Sequence, residues 1–224
     1  MESLEARRAR IIKILNLLKS ATADMQQPMS VVLGQIYGRD PFITLISCLL
    51  SLRARDVMTL EISKELFSRI RTPQELIRVP VEELEELFYP LGFYRKKARL
   101  MGDVAEDLLA RFNGKVPGTL EELLSIKGVG RKTANLVLGE GFGIPSICVD
   151  THVHRLSNRL GWVKTTNPEQ TEMELRKLVP EDYWISLNHL LVMWGQNICT
   201  PLSPWCSRCV LNPLCPKVGV VKNR

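Results

Sequence analysis

Four cysteines crowd the C-terminal region of this 224-residue chain: Cys199, Cys206, Cys209 and Cys215, spaced C-x6-C-x2-C-x5-C in a proline-rich stretch. Thiols at this density usually hold a metal rather than pair as disulfides. Zinc sites more often use two separated Cys-x2-Cys knuckles, and here only Cys206 and Cys209 form one. Cys215 is followed by Pro216, a Cys-Pro ending also seen in ferredoxin cluster loops. The residues by themselves leave zinc and iron–sulfur open. Cys48 and Cys148 lie in apolar surroundings, LISCLLS and PSICVD, and read as buried core thiols.

A second constellation occupies 119–138, TLEELLSIKGVGRKTANLVL. An amphipathic helix from Thr119 to about Ile126 is broken by Gly128-Val129-Gly130, and a second helix starts near Arg131. Two glycines around one small apolar residue make a tight turn, with positive φ available at either. The backbone N–H groups of such a turn join the unpaired ones that open the next helix. With the positive end of the helix dipole they form an anion site. Lys127, Arg131 and Lys132 add charge, so the hairpin reads as a sequence-independent grip on a phosphodiester. Asp150, in ICVDTHVHRL, reads by itself as a helix cap. No chemistry is assigned to His152 or His154.

These residues must be held by helices. Asp40-Pro41, Thr72-Pro73 and Asn167-Pro168 each place a capping side chain before a proline at the first helical position. Thr72 with Glu75, and Thr119 with Glu122, have capping-box spacing. Between these starts apolar residues recur at three- and four-residue steps, as at Leu120, Leu123 and Leu124. The expectation is an all-α protein of about ten helices joined by short loops. The tail after Pro216, KVGVVKNR, is expected to fray.

Composition narrows the partners. The chain is 45% apolar, carries a formal charge of +6 and has a pI near 9.1, which favours a polyanion. No apolar run is long enough to span a bilayer. Residues 4–19 form a basic amphipathic helix, but Glu2 and Glu5 argue against a transit peptide. With no secretion signal read, an intracellular setting, the cytoplasm or nucleoid of a prokaryote, is expected.

In their order GVGRKTA, VDTH and the cysteine loop, these motifs resemble the endonuclease III family of DNA glycosylases, within the helix-hairpin-helix superfamily. The resemblance covers about Asp40 to Cys215 and takes in LLSLRARD at 49–56 and LGFYRKKA at 91–98. It implies two helical domains with the DNA cleft between them. One is a six-helix barrel over 34–144. The other joins 1–33 to 145–216 and carries a [4Fe–4S] cluster on Cys199, Cys206, Cys209 and Cys215, with 217–224 as a basic tail. The implied partner is damaged double-stranded DNA, and the implied state is a monomer.

The implied reaction is base excision by a bifunctional glycosylase and abasic-site lyase acting on oxidised pyrimidines. Lys132 matches the nucleophilic lysine, which must be neutral to attack C1′. The helix dipole and Arg131 disfavour its ammonium form. Asp150 matches the catalytic carboxylate. Gly128, Val129, Gly130, Arg131 and Thr133 match DNA contacts of the hairpin. Arg53 and Phe93 stand where the family places residues that enter the duplex. Arg53 replaces a usual Gln and Phe93 a usual Leu. Ser51 and Asp56 fall near the lesion pocket, although Asp56 can also be read as a helix cap. The stretch TPLSPW between the first two cysteines lacks the family's usual cations, which leaves more phosphate contact to the hairpin and to Arg95, Lys96 and Lys97. Two other readings are a monofunctional thymine or adenine mismatch glycosylase, which Lys132 argues against, and a non-enzymatic DNA-binding iron–sulfur protein.

Overall fold

A computed structural model describes residues 3–224. Met1 and Glu2 lie outside the described residues, and with them one of the two acids read against a targeting segment. The described residues form twelve α-helices and no strand. In order these are α1 (Leu4–Ala21), α2 (Met29–Tyr37), α3 (Pro41–Ser51), α4 (Asp56–Arg69), α5 (Pro73–Leu76), α6 (Val81–Phe88), α7 (Tyr94–Phe112), α8 (Leu120–Ser125), α9 (Arg131–Leu136), α10 (Thr151–Arg159), α11 (Pro168–Leu178) and α12 (Trp184–Asn197). The all-α expectation holds. The count exceeds about ten because α5 and α8, of four and six residues, are too short to show a periodic pattern.

The capping residues act where the sequence places them. Asp40 accepts from the amides of Phe42 and Ile43 at 2.8 and 3.1 Å. Thr72 accepts from Glu75 at 3.2 Å, and Asn167 from Gln170 at 2.9 Å. Each such cap contributes about 1 kcal/mol, and the proline that follows presets the first helical φ.

The helices fall into two compact units, residues 29–144 and residues up to 28 together with 145–224. In the first, α3 is the central helix. Phe42, Ile43 and every residue from Leu45 to Leu50 are buried, because α2, α4, α7, α9 and a π-helical turn, Val137–Phe142, all pack on it. That turn continues α9. Its Gly141 lies so close to α3 that a Cβ there would sit 2.7 Å from Cα of Pro41. Met29 and Leu33 of α2 are buried in this same core, so α2 packs whole with 29–144 although the sequence boundary was drawn at 34.

In the second unit α1 buries Ile11, Ile14, Leu15 and Leu18 against a core that includes Trp162, Leu187 and Leu191. This is the amphipathic N-terminal helix doing ordinary core packing. The tail does not fray. Val218 N–H donates to Arg159 O at 3.0 Å, Ser207 N–H to Arg224 O at 2.9 Å, and Arg224 N–H to Pro204 O at 2.8 Å. The Arg224 guanidinium donates to Ser203 O and lies 3.8 Å from the centre of the Trp205 ring. Basic composition signalled exposure, but it could not show the loop carbonyls and indole ring that receive the tail.

Candidate active site and cysteine pocket

The hairpin forms as its residues predict. Thr119 caps α8 by accepting from Glu122 N–H at 3.3 Å, and its hydroxyl donates to the Glu122 carboxylate at 2.7 Å. α8 ends at Ser125, and Val129 N–H donates back to Ile126 O at 3.1 Å. Only one glycine uses left-handed freedom. Gly128 has φ +83, and a Cβ there would meet the Leu100 side chain at 3.0 Å. Gly130 has φ −95 and is the N-cap of α9. It offers no side chain to the amides that open the helix, and a Cβ there would meet nothing within 4 Å. The turn thus presents open space in front of a helix start.

Val129 is buried and pins the turn to the core. Lys132 stands exposed in the first turn of α9, beside half-buried Arg131. Thr133 is buried, so its offer to an anion is limited to an amide of the first turn. Lys127 is ion-paired with Asp103 at 2.7 Å, which commits part of its charge.

Around Lys132 the first unit gathers several groups expected near a lesion pocket. Burial pushes the Cys48 thiol up to about 12, the positive charge of Lys132 opposes that push, and the carboxylates of Glu140 and Asp56 add to it. Side chains from α3, α4, α9 and the π-helical turn therefore share one electrostatic neighbourhood. Ser51 joins it by donating to Cys48 O at 2.8 Å. Asp56 is not a cap: Arg55 holds the N-cap position of α4, without a side-chain bond, and Asp56 is the first helical residue. Glu140 was not foreseen. Its sequence signal is a lone acid in the otherwise apolar run LVLGEGF.

In the second unit Asp150 caps α10. One oxygen, Oδ1, accepts from His152 N–H at 2.8 Å and from Val153 N–H at 2.9 Å. The bond set leaves Oδ2 outside the cap, so capping and chemistry are compatible in one side chain. His154 Nδ1 lies 2.7 Å from the Thr171 hydroxyl, a tie between α10 and α11. Arg155 Nη2 donates to Gly195 O at 3.0 Å and Cys199 O at 2.9 Å. Burial lowers its pKa, while Cys199 and Asp150 act the other way.

The C-terminal end of α10 enters the wall of a pocket of about 440 Å³, part of it open to solvent, lined by all four clustered cysteines. Leu156, Leu160, Ile198 and Leu211 make it apolar, and Trp194 and Trp205 flank it. N–H groups point at the sulfurs. Arg159 Nη1 donates to Cys199 Sγ and Lys217 N–H to Cys215 Sγ, both at 3.4 Å. The buried indole N–H of Trp194 has no conventional acceptor, and it acts on the Cys209 sulfur. Burial is the main cause that raises the thiols of Cys209 and Cys215. Among the described residues, no three His, Cys, Asp or Glu groups are set to hold a single metal ion.

Arg53 and Phe93 occupy adjoining loops of the first unit. Both have left-handed backbones, φ 54 and φ 60, and the Arg53 guanidinium lies 5.7 Å from the centre of the Phe93 ring. Phe93 is 55% exposed, so it is no core residue. Lys97, expected to help with phosphates, is 5% exposed and its ammonium is buried without a hydrogen-bond partner. It lies on the inward face of α7, one turn beyond Phe93. Lys96 stays exposed, and Arg95 is exposed beside Glu85 at 3.6 Å.

Residues 46–181 match the HhH-GPD superfamily base excision DNA repair protein family. The chain is 51% identical over 190 residues to Endonuclease III of Thermotoga maritima, covering 83% of this chain and 89% of the relative. It is 35% identical over 195 residues to Endonuclease III of Bacillus subtilis, covering 84% and 89%. A solved trapped endonuclease III–DNA covalent intermediate, the estranged-adenine complex, superposes with a TM-score of 0.81 at 36% identity, covering 94% of this chain and 96% of that one.

Proposed function

The chain belongs to the endonuclease III family, within the HhH-GPD superfamily of base excision DNA repair proteins, and we propose that it removes oxidised pyrimidines from duplex DNA and then cuts the strand. The observation that carries this reading is Lys132. It is an exposed primary amine in the first turn of α9, directly after the hairpin.

The chemistry follows from what each group offers. The damaged nucleotide must leave the helix first, because stacking shields its sugar carbon. The hairpin amides and Arg131 hold the backbone without reading sequence. The Lys132 amine attacks C1′, and the base departs with the electrons of the glycosidic bond and takes up a proton. The sugar ring opens to a Schiff base on Nζ, which acidifies the C2′ hydrogen. Loss of that proton breaks the C3′–O bond and cuts the strand 3′ to the lesion. Asp150, with Oδ2 outside its cap, offsets positive charge developing on the sugar and accepts the amine proton. Ser51, Asp56 and Glu140 shape the pocket beside the lysine.

We assign the four-cysteine pocket to a [4Fe–4S] cluster held by Cys199, Cys206, Cys209 and Cys215. Four sulfurs in one apolar wall, with N–H donors aimed at three of them, suit such a group. A single zinc needs its thiolates all within about 2.3 Å of one point, and no three of the candidate ligands meet that condition. When bound, the cluster supplies four metal–thiolate bonds that tie the loop to α10 and α12.

Borohydride trapping tests the assignment. Reduction in the presence of a duplex with one oxidised pyrimidine should yield a covalent protein–DNA adduct, and Lys132→Gln should abolish it. A variant that still traps normally means that another residue is the nucleophile. Base release by the unsubstituted protein without strand cleavage would favour the monofunctional reading.

A further inference from the structure

Four described non-glycine residues have left-handed backbones: Arg53, Phe93, Asn113 and Lys217. Asn113 ends α7 as its C-cap, a place and residue type that tolerate this conformation. Lys217 spends its amide on the Cys215 sulfur. Neither account covers Arg53 or Phe93. Both are exposed, neither residue type favours this region, and strain of this kind gathers at functional sites. The two strained residues also face each other. A Cβ on Gly92 would lie 3.5 Å from Arg53 O, so the loops touch, and the guanidinium is poised beside the ring. Exposed Leu52, Val57, Met58 and Tyr89 lie nearby in the chain. A flat apolar ring with a cation at its side matches a nucleobase stack in which one base has lost its partner.

We propose that Arg53 reads the base left unpaired opposite the lesion and selects guanine over adenine. The argument is one of donors and acceptors. A guanidinium has five N–H donors and no acceptor. Guanine presents two acceptors, O6 and N7, on one edge, and takes a bidentate fork. Adenine presents N7 beside an N6 amino group, so a donor-only group gains one bond and meets a donor with the other. A side-chain amide carries both a donor and an acceptor and pairs with adenine through two bonds. The residue type at position 53 therefore decides the preference, while the Phe93 ring holds the guanidinium in plane and keeps the gap filled. Oxidised cytosines stand opposite guanine and oxidised thymines opposite adenine, so the expected bias is towards oxidised cytosine. This inference rests on the repair function proposed above, but its test is separable from catalysis.

The test measures affinity for duplexes with one tetrahydrofuran abasic analogue opposite guanine, adenine or 7-deazaguanine, which lacks the N7 acceptor. Binding opposite guanine should be roughly tenfold tighter than opposite adenine, and 7-deazaguanine should lose most of that advantage. In Arg53→Gln the guanine-to-adenine ratio should fall to within about twofold of one. In Arg53→Lys it should fall while the salt dependence of binding persists, because charge stays and the fork goes. A misfolded variant would weaken all three duplexes together and leave the ratio alone. No guanine preference in the unsubstituted protein, or a preference that survives Arg53→Gln, overturns the proposal. A chain that shows the Arg53-dependent preference but never traps with borohydride would keep this inference and overturn the assignment of Lys132.

Discussion

Asp150 shows how one side chain can meet two demands. Its Oδ1 closes the start of α10 and its Oδ2 remains outside that cap. Asn caps a helix about as well as Asp does, whereas Ala does not. Asp150→Asn should therefore keep the fold but lower single-turnover base release by roughly 10²–10⁴-fold, the usual worth of a positioned acid–base group. Asp150→Ala should lower it similarly and also cost about 1 kcal/mol of stability. Thermal melts beside rates check both, and a rate in Asp150→Asn equal to that of the unsubstituted protein would assign Asp150 to capping alone. At this scale the sequence was legible where a motif names a residue, as at Lys132. It was silent where burial decides. Lys97 and its neighbour Lys96 are the same letter, yet one is buried on α7 and the other exposed.

Helices α8 and α9 were readable because their ends are written in local chemistry: Thr119 with Glu122 at one end, Gly128 and Gly130 at the turn. The π-helical continuation after α9 was not readable, because it depends on Gly141 approaching Pro41, a contact between residues a hundred positions apart in sequence. The two hairpin glycines looked alike in sequence and differ in demand. Gly128→Ala places a Cβ against Leu100 with φ +83 and should cost about 1–3 kcal/mol. Gly130→Ala meets no atom and should cost less in stability. Chemical denaturation should rank the two in that order, and a reversed order would mean that the turn is held by something other than the Gly128 backbone.

The whole molecule depends on two separate cores, and on a cysteine loop that binds to α10 through side chains as well as sulfurs. Arg155 and Arg159 of α10 both donate to loop carbonyls, at Cys199 and Thr200. The all-α class and both helix sets could be inferred from periodicity and caps. The loop's closure could not, because it is made by residues without regular spacing: Lys217 and Val220 complete the pocket wall, and Trp205 stands between Arg208 and Arg224 at 4.0 and 3.8 Å. Deleting 217–224 should speed chelator-driven bleaching of the iron–sulfur absorbance several-fold. An unchanged bleaching rate would show that the tail is not the barrier to the pocket.

Arg224 also bears on how the protein is handled at the bench. Its amide, its carbonyl and its guanidinium are all bonded to the loop at 203–207. A purification handle joined there must leave from a docked residue rather than from a loose end. It would bring its own polar groups, and in a polyhistidine tag a rival set of metal ligands, beside four thiols. A handle at the other terminus, ahead of α1, keeps immobilised nickel away from the cysteine loop.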